Sequence, residues 1–105
     1  MKLLRVGLRG KEKPALLDKN NKIRDLSSIV KDFNPNSLNF ETILKLKNIN
    51  LEELPELSNK ERIGSCISKP GKFVAIGLNY SDHAKETGLK TPTEPIVFMK
   101  ASSSI

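Results

Sequence analysis

The chain has 105 residues, 37% of them hydrophobic and 29% charged, with a net charge of +6, a composition that supports one modest globular core and excludes a disordered low-complexity chain. No stretch approaches the roughly 20 consecutive apolar residues of a membrane span, and Met1-Lys2-Leu3-Leu4-Arg5 returns to charge too early for a signal peptide. The basic excess belongs to residues 1–33, with nine Lys/Arg against four Asp/Glu, whereas 34–70 hold five of each.

In chain order, residues 2–9 mix apolar and basic side chains with strand-like alternation, and 10–13 read as a turn. A second strand at 15–17 leads through Asp18-Lys19-Asn20-Asn21, residues that tolerate left-handed backbone, into a third at 22–24. A small antiparallel sheet is expected. The basic residues spread singly along it, without aromatic neighbours for base stacking, and are expected to form a solvated sheet face. The alternative is a small basic interaction module that binds an acidic partner or nucleic acid.

Asp25 is placed to cap a short helix at 27–30, after which Asn34-Pro35-Asn36 breaks the chain. The next helix has Asn39 as N-cap, Leu38 and Ile43 at the positions of a hydrophobic staple, and Phe40, Ile43 and Leu44 on the face expected to pack on the sheet. Residues 48–60 read as an irregular, partly packed connection. The single cysteine, Cys66, excludes an intrachain disulfide, points to a reducing cytoplasm, and is expected to be a small buried strand residue. A boundary near Lys69-Pro70-Gly71 separates a domain at 1–69 from one beginning at 70.

Beyond it, Lys72-Phe73-Val74-Ala75-Ile76-Gly77-Leu78 is an almost unbroken apolar run, as for a strand buried on both faces. Residues 79–88 read as a short helix, capped by Ser81 or Asn79 and ended by Gly88. The prolines at 92 and 95 force an extended loop before a last strand at 96–100.

His83 and Glu86 stand three residues apart, so a helix puts them on one face. A carboxylate so placed can orient an imidazole and with it draw a proton from water or a carbon acid. The positive helix end disfavours imidazolium while Glu86 favours it, opposing influences suited to a base that must cycle. The same spacing also occurs on plain solvent-facing helices. There is no cysteine-histidine metal cluster, Gly-rich phosphate loop or nucleophile elbow.

Gly77-Leu78-Asn79-Tyr80-Ser81-Asp82-His83-Ala84-Lys85-Glu86, followed by Pro92 and by Glu94-Pro95-Ile96-Val97-Phe98-Met99-Lys100-Ala101, resembles the opening of the catalytic domain of the fumarylacetoacetate hydrolase family. The segments Met1-Lys2-Leu3-Leu4-Arg5, Glu12-Lys13-Pro14-Ala15-Leu16-Leu17-Asp18 and Ile23-Arg24-Asp25-Leu26-Ser27 look like the N-terminal region of its ureidoglycolate lyase members. The fold expected is α+β: a small antiparallel accessory domain at 1–69 with short helices, then at 70–105 the first strands and lid helix of a β-rich catalytic domain.

The resemblance implies a hydrolase or lyase acting on a small keto acid or ureidoglycolate-like carboxylate, with His83 as general base and Glu86 as its partner. It implies Tyr80 and Lys100 as substrate contacts, beside which stand structural roles as helix anchor and strand-end charge. It further implies Mg or Mn in the complete protein, held by acidic residues that this chain lacks, so that no metal ligand and no cofactor is expected within these 105 residues. A cytoplasmic homodimer that binds neither nucleic acid nor membrane is the expected whole. The chain alone is expected to be inactive, and its apolar run after about Pro70 to be disordered or to self-associate.

Overall fold

Period-two alternation lays down three strands in the first 25 residues of a computed structural model, which describes residues 1–105. They are β1 (Lys2–Val6), β2 (Lys13–Leu17) and β3 (Ile23–Asp25). Helix α1 (Phe40–Asn48), a 3-10 turn (Leu51–Glu53) and β4 (Glu56–Leu57) follow. After these come β5 (Phe73–Gly77), α2 (Ser81–Glu86), β6 (Ile96–Lys100) and a second 3-10 turn (Ser102–Ser104). The fold is a small α+β one, and the chain divides into two units, Met1–Pro70 and Gly71–Ile105. No helix is long and apolar enough to cross a membrane.

In the first unit the four strands form one antiparallel sheet in the order β1-β2-β3-β4. The Asp18–Lys22 turn closes the β2–β3 hairpin much as its composition requires. Asn21 takes the left-handed backbone (φ 59°), and the Asp18 carboxylate accepts from the N–H groups of Asn20 and Lys22. β1 is shorter than expected because Gly7 turns the chain at φ 118°, donating its N–H to the Arg62 carbonyl. Within the expected irregular connection, Glu56 and Leu57 pair with Arg24 and Ile23 as a fourth strand. Two residues are too few to show an alternation.

The register divides the sheet cleanly. Leu3 faces Leu16 and Leu4 faces Ala15, so one face carries Leu3, Arg5, Pro14, Leu16 and Arg24, and the other carries Leu4, Val6, Ala15, Leu17 and Ile23. On the first face Leu16 packs with Leu26, Val30, Phe33 and Leu46, with Leu38, Ile49, Leu51 and Leu54 around them. On the second, Val6, Ala15 and Ile23 form a smaller cluster with Leu57.

Several expectations change here. Residues 27–29 make a single turn, not a helix, closed by the N–H groups of Ile29 and Val30 on the Leu26 carbonyl, while Asp25 still accepts from the Ser27 N–H. Asn39 caps α1 by accepting from the Thr42 N–H. The buried stripe of α1 runs through Leu46, however, and Phe40 is 76% exposed with Leu44 also exposed. The stripe continues past the helix into Ile49 and Leu51, which draws it away from Phe40. Cys66 lies exposed in a bend rather than buried in a strand.

The basic residues are not a uniformly solvated face either. Arg5 and Arg24 lie on the covered side, and each has a carboxylate. Arg5 binds Asp32 with two N–H groups, Nε to Oδ1 at 2.7 Å and Nη2 to Oδ2 at 3.2 Å, and reaches Glu12 at 3.5 Å. Arg24 donates to Asp18 at 3.0 Å and to the Leu54 carbonyl. Arg62 closes on Glu12 at 2.9 Å, Lys22 on Glu56 at 2.7 Å and Lys13 on Asp25 at 3.6 Å. Five basic residues of the unit thus meet an acid, and the two on the covered face are among them.

Partial burial pushes the Asp32 carboxyl up, but Arg5, by hydrogen bond and charge, together with hydrogen bonds from Ser68 and the Phe33 N–H, outweighs it and holds the group below its ordinary value. Asp25 is lowered in the same way by Ser27 and Lys13 against its own desolvation. The backbone N–H of Lys22 lowers Asp18, with Arg24 assisting. All four shifted acids, Glu12 included, are lowered. Their unfolded forms therefore take up protons at higher pH than their folded forms, and the stability they give is full above the ordinary carboxylate range of about 4 and lost as pH falls from there through the lowered folded values. The urea midpoint should fall on going from pH 7 to pH 3, with a shallower fall in Asp32→Asn. Phe33→Ala, which empties a fully buried site, should lower the unfolding free energy by about 3–5 kcal/mol in the same titration.

Candidate active site

In the second unit β5 and β6 pair antiparallel, with Gly77 opposite Ile96 and Phe73 opposite Lys100. β5 is not buried on both faces: Val74 and Ile76 are exposed, as is every residue of β6. Two strands make one layer, and one layer covers neither of its faces.

The chain leaves β5 through Leu78, whose φ of 49° places a γ-branched residue in left-handed backbone. Such a conformation is held against a cost of about 1–3 kcal/mol, and here it falls in the short link between strand and helix. Tyr80 is the N-cap residue of α2, in extended backbone, and no side chain caps the helix start, so neither Asn79 nor Ser81 fills that role. The C-terminal end is better tied. The Thr87 hydroxyl donates toward the carbonyls of His83 and Ala84, and Gly88, at φ 69°, donates its N–H to Lys85.

Ala84 is the anchor of α2 at 1% exposure, and its burial turns the rest of the helix outward. His83 and Glu86 emerge on one side, with Nδ1 3.8 Å from Oε2. Their side chains are 57% and 77% exposed, so water screens the pair, and the separation exceeds a hydrogen bond. A second pair at the same spacing, Asp82 with Lys85 at 3.9 Å, runs beside it. In a helix of six residues His83 lies as near the last turn as the first, so the opposing dipole effect expected from the sequence is weak.

Tyr80 is exposed one turn before His83. Lys100 is not brought to the pair by the ladder. Its register opposite Phe73 sets it four residues, or ~13 Å, along β6 from the Gly77–Ile96 end where the chain turns toward α2. A cleft of about 270 Å³ is lined by Gly77, Leu78, Asn79 and the loop from Thr91 to Pro95, and not by His83 or Glu86. The signal for Thr87 in this role is its place directly before the helix-ending Gly88. No three His, Cys, Asp or Glu side chains gather as a possible metal-ligand set.

No family model matches the chain. Proteins from Burkholderia ambifaria, Burkholderia lata and Burkholderia multivorans, each named "Putative hydrolase", are 50%, 49% and 48% identical to it over 105 residues. These alignments take in all of this chain and 37% of each relative's length.

Because His83 is exposed and Ala84 is the buried contact, His83→Ala should change stability by no more than about 0.5 kcal/mol. Ala84→Asp should cost more than about 1 kcal/mol by placing a charge in a closed site. Denaturant unfolding followed by circular dichroism separates the two.

Proposed function

We propose that this chain is part of a hydrolase or lyase of the fumarylacetoacetate hydrolase family, acting on a small keto acid or ureidoglycolate-like carboxylate, in which His83 is the general base and Glu86 its partner. The observation that carries the reading is the pair itself: an imidazole and a carboxylate 3.8 Å apart on one face of a short helix whose other side is anchored by Ala84. Relatives that match all of the chain and are named as hydrolases support it at the level of reaction class.

In this mechanism Glu86 faces Nδ1 and orients the ring, which leaves Nε2 to accept a proton from water or from a carbon acid beside a carbonyl. Closure of other parts of the complete protein over α2 would remove the water that screens the pair and strengthen its coupling. Tyr80, exposed at the start of α2, is offered as a hydroxyl contact for the substrate, and Lys100 as a cation for a substrate carboxylate. The Mg or Mn that the resemblance implies finds no ligand set among these residues.

In the complete protein, assayed against a panel of keto acids and ureidoglycolate, His83→Ala should lower kcat by at least about 10²-fold and Glu86→Gln by a smaller factor. The circular dichroism spectrum should be unchanged in both. Wild-type turnover by His83→Ala would remove His83 as the base.

A further inference from the structure

On the first unit a cleft of about 470 Å³ opens between the β2–β3 turn, the first residue of β1 and the C-terminal end of α1. That volume falls in the range of small-molecule sites, ~300–1,000 Å³. Its floor is apolar and already desolvated, formed by the buried Leu16 and Leu46. At its mouth stand Lys2, Lys19 and Lys47, all exposed and none ion-paired, unlike Lys13 and Lys22 of the same unit. Asp18, the one acid among the lining residues, does not answer them. It is held by the N–H groups of Asn20 and Lys22 and by Arg24.

Apolar floor and unanswered cations specify complementary ends of one ligand. A tail on the leucines gains from burial, and an anionic head among the ammonium groups gains charge-assisted hydrogen bonds. The last carbonyls of α1 carry partial negative charge at this end of the helix, which opposes a doubly charged phosphate more than a singly charged head. We propose that this cleft binds a small monocarboxylate with an apolar tail. The site is built from the first unit alone and contains neither His83 nor Glu86, so it stands or falls separately from the active-site reading.

The test is a titration of octanoate into the ¹⁵N-labelled 105-residue chain, followed by NMR, with 1-octanol as the neutral control. Saturable shifts should appear at Leu16, Leu46 and Lys47, and octanoate should bind more tightly than octanol. In the Lys19→Gln/Lys47→Gln variant, which removes two exposed charges without touching the core, octanoate should bind about tenfold more weakly and octanol as before. Shifts confined to the exposed apolar residues of β5 and β6 would overturn the proposal. So would equal affinity for octanoate and octanol, an unchanged octanoate affinity in the variant, or no saturation.

Discussion

Arg5 sits on the face of the sheet that everything else covers, and the first unit is arranged around neutralising it. Strand alternation leaves no choice: a residue two positions from Leu3 shares its face, and that face must pack against Leu26, Phe33 and α1. An unpaired guanidinium there would cost several kcal/mol, so the position is tolerable only with a carboxylate in fixed geometry. Asp32 supplies it from the loop that also delivers Phe33 to the core. The same arginine holds the returning segment, since its carbonyl accepts from the Gly64 N–H and Nη1 donates to the Ser65 carbonyl. Ser68 then fastens to the Phe33 carbonyl through both its N–H and its hydroxyl. One ion pair thus links strand, covering loop and closing strap.

The second unit is built on the opposite principle. It has one layer, a two-stranded ladder with apolar side chains on both faces, and a six-residue helix held chiefly by Ala84 and by hydrogen bonds at its C-terminal end. Such an arrangement presents chemistry without enclosing it. His83 and Glu86 share one side of the helix but stand in water, where their mutual influence is small. Making them effective requires exclusion of that water, and the relatives, of which this chain spans 37%, have ample further length to provide it.

Charge tells a related story. A net +6 concentrated in the first third looks, as a count, like a surface for polyanions. Its spatial arrangement is different, because Arg5, Lys13, Lys22, Arg24 and Arg62 each meet an acid. Among the cations left without an acid, Lys2, Lys19 and Lys47 gather beside a leucine-lined cleft, a pattern suited to a small ligand.

Local rules in the sequence were enough for the first three strands, the Asp18–Asn21 turn, the Asn39 cap, the existence of the two strands flanking α2 and the His83–Glu86 juxtaposition, because each depends on alternation, turn chemistry or helical spacing within a few residues. The catalytic reading of that pair came from resemblance and not from spacing. Tertiary structure alone decided which arginines were covered and by which acids they were met, that Leu46 rather than Phe40 turned inward, that Glu56 and Leu57 became a strand, and that Cys66 stayed outside. Lys100 belongs with these, since register and not distance along the chain set it at the far end of the ladder. In every such case the deciding partner lies tens of residues away, as Asp32 does from Arg5, and burial is a property of the pair that no window on either residue contains.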